Sequence, residues 1–200
     1  MGIFSRSSAD ARWVIVGLGN PGERYAGTRH NAGAMILDIL AARLGGRLKS
    51  HKSGCAIADG NLAGESLVLA RPMSYMNESG RPVRQLVNFY KSPLEKLVVV
   101  HDELDIPFGE VRIKEGGGTA GHNGLKSLAS NLNSKDFLRV RFGIGRPRGN
   151  TPAVDHVLQR FSGSERRDLE DLLGHAADAV ENILEEGTEK AMNRFNSRND

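Results

Sequence analysis

The chain has 200 residues, 39% of them hydrophobic and 26% charged, with a formal net charge of +3. Those values describe an ordinary soluble domain with a real core, and so mild a charge does not by itself imply nucleic acid. No apolar run approaches the roughly 20 residues that cross a bilayer, residues 1–12 lack a signal-peptide core, and the lone Cys55 excludes an internal disulfide and a thiolate zinc site, so the protein reads as cytoplasmic.

In chain order, a polar extension at 1–12 precedes an apolar strand expected over 13–18. A helix over 32–44 follows, with Ile36, Leu40 and Leu44 on one stripe and Gly45-Gly46 as its stop. Strands at 55–59 and 65–70 flank a Gly60-Asn61 turn signal. Pro72 breaks the chain ahead of a helix over 76–90. Leu97-Val-Val-Val100 is apolar at every position, the mark of a central strand covered on both faces. Next come a short strand at 111–114, a glycine loop from Gly116, a helix over 124–132 and a strand over 137–144. Ser162-Gly-Ser-Glu165 has the form of a capping box and opens a long helix that Gly187 ends. Leu169, Leu173, Ala176, Val180 and Ile183 recur along it at helical spacing, and a short helix to about 195 completes the chain.

Strands alternating with helices, without an internal repeat, predict an α/β fold. The expectation is a single domain over 13–195 with a twisted, mostly parallel (mixed) sheet and helices on both faces. A flexible extension at 1–12 and a tail at 196–200 would flank it.

Gly17-Leu-Gly19-Asn-Pro-Gly22 follows the first strand and fits the dinucleotide fingerprint G-x-G-x-x-G. In such fingerprints the third glycine lies inside a helix whose N-terminus faces pyrophosphate. Here Pro21 and Gly22 prolong the loop, and Asp38 falls within the helix instead of ending a second strand. The spacing therefore does not predict a nucleotide cofactor.

Four loops carry candidate chemistry: Asn20, Tyr25 and His30; Tyr75 and Asn77; His101-Asp-Glu-Leu-Asp105; and His122 with Asn123. In a parallel sheet, loops after neighbouring strands meet on one edge. A histidine and an aspartate without an activated Ser or Cys suggest attack by water. His30 could take the proton while a carboxylate holds its tautomer. Asp102 suits that role where the buried strand emerges, with His101 turned to the opposite side. Asparagines can donate to a developing oxyanion, although Asn77 and Asn123 could equally be helix caps. No G-x-S-x-G or H-E-x-x-H occurs and the six histidines are scattered, so neither a serine nucleophile nor a metal is expected.

Lys135, Arg139, Arg141, Arg146 and Arg148 stand against the lone Asp136. Arg139 and Arg141 alternate with Val140 and Phe142, so a strand puts them on one face, either solvated or following a phosphate backbone.

Together these segments resemble bacterial-type peptidyl-tRNA hydrolases. The likeness rests on Val16-Gly-Leu-Gly-Asn-Pro-Gly22 with Tyr25 and Thr28-Arg-His-Asn31, and on Arg71-Pro-Met-Ser-Tyr-Met-Asn-Glu-Ser-Gly80. It continues through Val100-His-Asp-Glu-Leu-Asp105, Gly116-Gly-Gly with Gly121-His-Asn-Gly-Leu-Lys126, and Arg141-Phe-Gly-Ile-Gly-Arg-Pro147, in register from about 12 to 195. The resemblance implies hydrolysis of the ester joining a peptide to the 3′ ribose of tRNA, by a monomer without metal or organic cofactor. It makes His30 the base toward water and Asp102 the group that keeps it basic, while Asn20 favours N-blocked substrates. Tyr25, Tyr75, Met76, Asn77 and Asn123 would line the groove for the peptide and the tRNA 3′ end, and Lys114 and Arg141 would grip phosphate. Thr119-Ala120 departs from the His-Gly or Glu-Gly of many relatives.

Overall fold

A computed structural model describes residues 11–147 and 149–197. The extension at 1–10, Arg148 and the last three residues of the tail lie outside the described residues. Seven strands form one mixed sheet in the order β2-β3-β4-β1-β5-β7-β6. They are β1 (Trp13–Gly17), β2 (Lys49–Ser50), β3 (Cys55–Leu62), β4 (Glu65–Pro72), β5 (Leu97–Glu103), β6 (Val111–Glu115) and β7 (Leu138–Gly143). The central strands β4, β1, β5 and β7 run parallel, whereas β3 on one flank and β6 on the other run antiparallel to them, and the short β2 pairs antiparallel with β3.

Helices cover both faces because the inner strands are apolar on both. In β1, Ile15 turns to one core and Val14 and Val16 to the other. The first core is closed by α1 (Ala32–Arg43), α5 (Glu165–Glu186) and the end of α6 (Thr188–Asn196). The second is closed by α2 (Gly80–Tyr90) and α3 (Asn123–Leu132). Each Val, Leu or Ile so buried is worth about 1.5–3 kcal/mol relative to exposure. The expected capping box forms: the Ser162 amide donates to Glu165 at 2.5 Å, and the Glu165 amide to Ser162 Oγ at 3.3 Å. Asn196 ends α6 and fastens the open edge of β6, its side-chain amide exchanging two hydrogen bonds with the Ile113 backbone.

Three local expectations are corrected. The hairpin turns at Ala63 and Gly64, both with positive φ, and not at Gly60-Asn61. Gly60 instead lies in β3 under Leu44, whose Cδ1 a Cβ there would meet at 2.9 Å. The helix expected from residue 76 begins as a 3-10 turn, Met76–Glu78, before α2. A six-residue helix, α4 (Ala153–Leu158), was not expected; its signal is limited to Val154, Val157 and Leu158 at helical spacing after Pro152.

Two glycines of the apparent nucleotide fingerprint, Gly17 and Gly19, serve packing, whereas Gly22, with φ +93 and open space where a Cβ would lie, serves the turn. A Cβ on Gly17 would meet Gly33 O at 2.4 Å, and one on Gly33 would meet Val100 O at 2.2 Å. These two residues let α1 lie against β1 and β5, and that contact sets where the turn before α1 points. We predict that Gly33→Ala destabilises the protein by about 2–3 kcal/mol through overpacking. Urea unfolding would show a lower midpoint at unchanged slope.

Candidate active site

A 3-10 turn, Arg29–Asn31, carries His30 to the end of β5. Its Nδ1 lies 2.9 and 3.1 Å from the two carboxylate oxygens of Asp102. Facing an acceptor, Nδ1 carries the proton and Nε2 keeps its lone pair, free of protein partners among the described residues. Asp102 is 3% exposed and sits on β5 itself, since the strand runs to Glu103, beyond the apolar run. Burial pushes its carboxyl up, but His122 and His30 beside it outweigh burial and hold it well below the usual carboxylate range.

His122 is the partner that sequence reading left without a role in this pair. Its Nε2 lies 3.0 Å from Asp102 Oδ1, while its Nδ1 accepts from the amides of Gly124 and Leu125. The imidazole is therefore the N-cap of α3, and the cap reading of Asn123 is overturned: Asn123 is the first helical residue and exposed. Asn77 likewise sits inside its 3-10 turn with no capping bond.

The loop that brings His122 there does not start on the edge where His30 meets Asp102. It follows β6, which is antiparallel, so it leaves the opposite edge of the sheet and climbs one face. Arg139 pins it midway, donating to Gly118 O at 2.6 Å and Gly117 O at 2.7 Å. Ala120 in this loop has φ +47, a conformation costing a non-glycine residue about 1–2 kcal/mol, at a position where the resemblance has glycine.

Asn20 is oriented from two sides. The Asn31 side chain accepts from its backbone amide and donates to its carbonyl, both at 2.9 Å. The amide of Met76 donates to Asn20 Oδ1 at 2.8 Å, leaving Nδ2 as the donor available to the cleft. That cleft holds about 740 Å³, and His30, Asp102, Asn20, Tyr25, Tyr75, Met76, Asn77 and Asn123 all line it. Met76 is buried, while Tyr75 is 57% exposed at the mouth. The far wall is α4, whose Val154 and Leu158 present open apolar surface. Arg29, next to His30, ties down the end of α4: it donates to Arg160 O at 2.7 Å and pairs with Glu165 at 2.7 Å.

His30, Asp102 and His122 bring three ligand-type atoms within 4.8 Å of one another. Their partners describe a hydrogen-bonded carboxylate. With the His122 Nδ1 lone pair taken by two amides, Nε2 points a proton at Asp102, as does His30 Nδ1. A cation there would need the lone pairs those protons occupy.

Lys114 and Arg141 do not line the cleft. The pairings Arg112↔Arg141 and Lys114↔Arg139 put four cations on one face of β6 and β7. Arg139 is 2% exposed and holds the loop, so neither a solvated nor a phosphate-facing role fits it. Arg112 pairs with Glu110 and donates to Asn196 O. Lys114 and Arg141 have no ion pair among the described residues. Lys114 lies along Gly117, beside the loop leading to His122.

A family model described as peptidyl-tRNA hydrolase matches residues 14–200. The chain belongs to the peptidyl-tRNA hydrolase family. It is 55% identical over 190 residues to the peptidyl-tRNA hydrolase of Frankia casuarinae, covering 95% of this chain and 96% of that one. Identity to the Mycobacterium avium protein of the same name is 52% over 185 residues, with 92% and 97% covered. The crystal structure of the Acinetobacter baumannii peptidyl-tRNA hydrolase superposes with a TM-score of 0.87 at 38% identity, over 94% of this chain and 96% of that one. Membership in the family accounts for the mixed seven-stranded sheet, and no described helix is long and apolar enough to cross a membrane.

His101 points to the other face from Asp102, as its place on the strand requires. It is 1% exposed, its Nδ1 donates to Asp102 O at 2.7 Å, and its Nε2 has no partner among the described residues. Burial first, then the neighbouring His122, pushes its pKa down to about 3. The unfolded chain, with a value near ~6.5, therefore binds a proton that the folded chain refuses between those limits. Stability from this group is complete above about pH 6.5 and falls as pH drops toward 3. The depressed Asp102 adds no slope between pH 7 and 5, because both states are ionised there. We predict that, from pH 7 to 5, the wild type loses about 2 kcal/mol more stability than His101→Gln, measured by urea unfolding.

Proposed function

We propose that the protein hydrolyses the ester between a peptide, or an N-blocked aminoacyl group, and the 3′ ribose of tRNA. The observation that carries this reading is the His30 imidazole, bound through Nδ1 to a buried carboxylate and open at Nε2 to the cleft. Water held at Nε2 gives up its proton as its oxygen attacks the ester carbonyl. Asp102 stabilises the resulting imidazolium, and the proton then passes to the departing ribose oxygen. No covalent enzyme intermediate is required.

Asn20 Nδ2 donates to a carbonyl of the substrate, which favours a blocked amino group over a free one. Tyr25, Tyr75, Met76, Asn77 and Asn123 hold the peptide and the 3′ end. Lys114 and Arg141, the cations of their face without an ion-pair partner among the described residues, take phosphate of the acceptor stem. The family and the named relatives support this substrate. We assign the protein to the cytoplasm and propose that it acts as a monomer, which sedimentation would test.

The test of the activity is deacylation of N-acetyl-aminoacyl-tRNA beside free aminoacyl-tRNA, with only the first expected to turn over. His30→Ala should lower kcat by about 10²–10⁴-fold while tRNA binding is kept. Unchanged turnover would remove His30 from the role. Lys114→Ala and Arg141→Ala should each weaken tRNA binding and lower its salt slope by about 0.7–0.9. An unaltered slope in both variants would return these residues to a solvated face.

A further inference from the structure

We propose that His122 is a positioning residue: one fixed tautomer of its ring caps α3 and orients the carboxylate that holds His30. The proposal rests on the roles given to His30 and Asp102 above. Asp102 Oδ1 receives two N–H groups, from His30 at 2.9 Å and from His122 at 3.0 Å, while Oδ2 receives His30 again at 3.1 Å. A carboxylate 3% exposed and held by one imidazole could turn about its own Cβ–Cγ bond and carry His30 with it. The second donor blocks that rotation.

His122 can do so because its own ring is held. Two backbone amides meet Nδ1 at 3.1 and 3.3 Å, and the His101 and His30 rings each pack against it with centroids 4.9 Å apart. An amide N–H cannot point at a protonated nitrogen, so the capping bonds force the proton onto Nε2, the atom facing Asp102. The direction of one bond thus follows from the helix start and does not depend on solvent. Because Asn123 is the next residue, the same anchor places a substrate-facing amide and the carboxylate behind the base in one frame.

A ring that only capped the helix would matter for stability alone, and two substitutions separate the cases. His122→Asn keeps a capping acceptor but is too short to reach Asp102. His122→Gln can offer an amide N–H at the Nε2 position but does not cap. We expect His122→Asn to stay folded with wild-type KM while kcat falls about tenfold, as for loss of a hydrogen bond to a charged group. His122→Gln should melt lower and keep kcat within about threefold of wild type. Wild-type kcat in His122→Asn would overturn the proposal. Long-range ¹H–¹⁵N spectra of the wild type give a readout independent of activity. They should show His122 protonated on Nε2 only, and a proton on Nδ1 would likewise overturn the proposal. A wild type that leaves N-acetyl-aminoacyl-tRNA intact would defeat the enzymatic reading while leaving that spectrum unchanged.

Discussion

Asp102 keeps a negative charge at a place almost closed to water, and the surroundings of the cleft are arranged around that charge. An unpaired buried carboxylate would be protonated or would unfold its neighbourhood. Here it lies where three pieces of chain converge: the end of β5, the turn before α1, and the start of α3. Two imidazoles from the second and third pieces supply its hydrogen bonds. His30 and Asp102 therefore need no flexible loop to find each other. They are set by how closely α1 and α3 approach the sheet, and at α1 that approach depends on Gly17 and Gly33 having no side chain.

The same economy appears in the charged groups that do not face substrate. Arg139 belongs to the basic cluster and Arg29 stands beside His30, yet both are buried and both bind backbone carbonyls. Arg139 fixes the route of the glycine loop across the sheet, and Arg29 fixes the end of α4 beside His30. A guanidinium suits this work because its planar fork satisfies two carbonyls at once and remains charged when partly buried. Of the four cations on that face of β6 and β7, only Lys114 and Arg141 have no ion pair or carbonyl to hold among the described residues.

Much of the fold could be read from the chain because periodicity reports burial directly. The all-apolar Leu97–Val100 run gave a central strand, and the spacing of Leu173, Ala176, Val180 and Ile183 gave the long helix. The reading failed where a local signal was outweighed by a distant contact. Gly60-Asn61 has the chemistry of a turn, but Leu44 packing over Gly60 keeps it in a strand. At barely two turns, α4 is too short for a periodic signal and depends on Arg29 to hold it. The parallel-sheet rule brought four loops to one edge, yet one of them starts at the other edge and is led back by Arg139.

Residue types and their order were determined by the sequence alone: which strands are buried, which loops hold His, Asn and Asp, and which family the motifs resemble. Tertiary structure decided the roles of individual atoms. It selected Nδ1 of His30 for Asp102, turned Asn20 Nδ2 toward the cleft, and made His122 the cap that Asn123 could have been. The physical reason is that a hydrogen bond's direction depends on the partner it meets. For His30 that partner is 72 residues away, beyond anything a local pattern of polarity encodes.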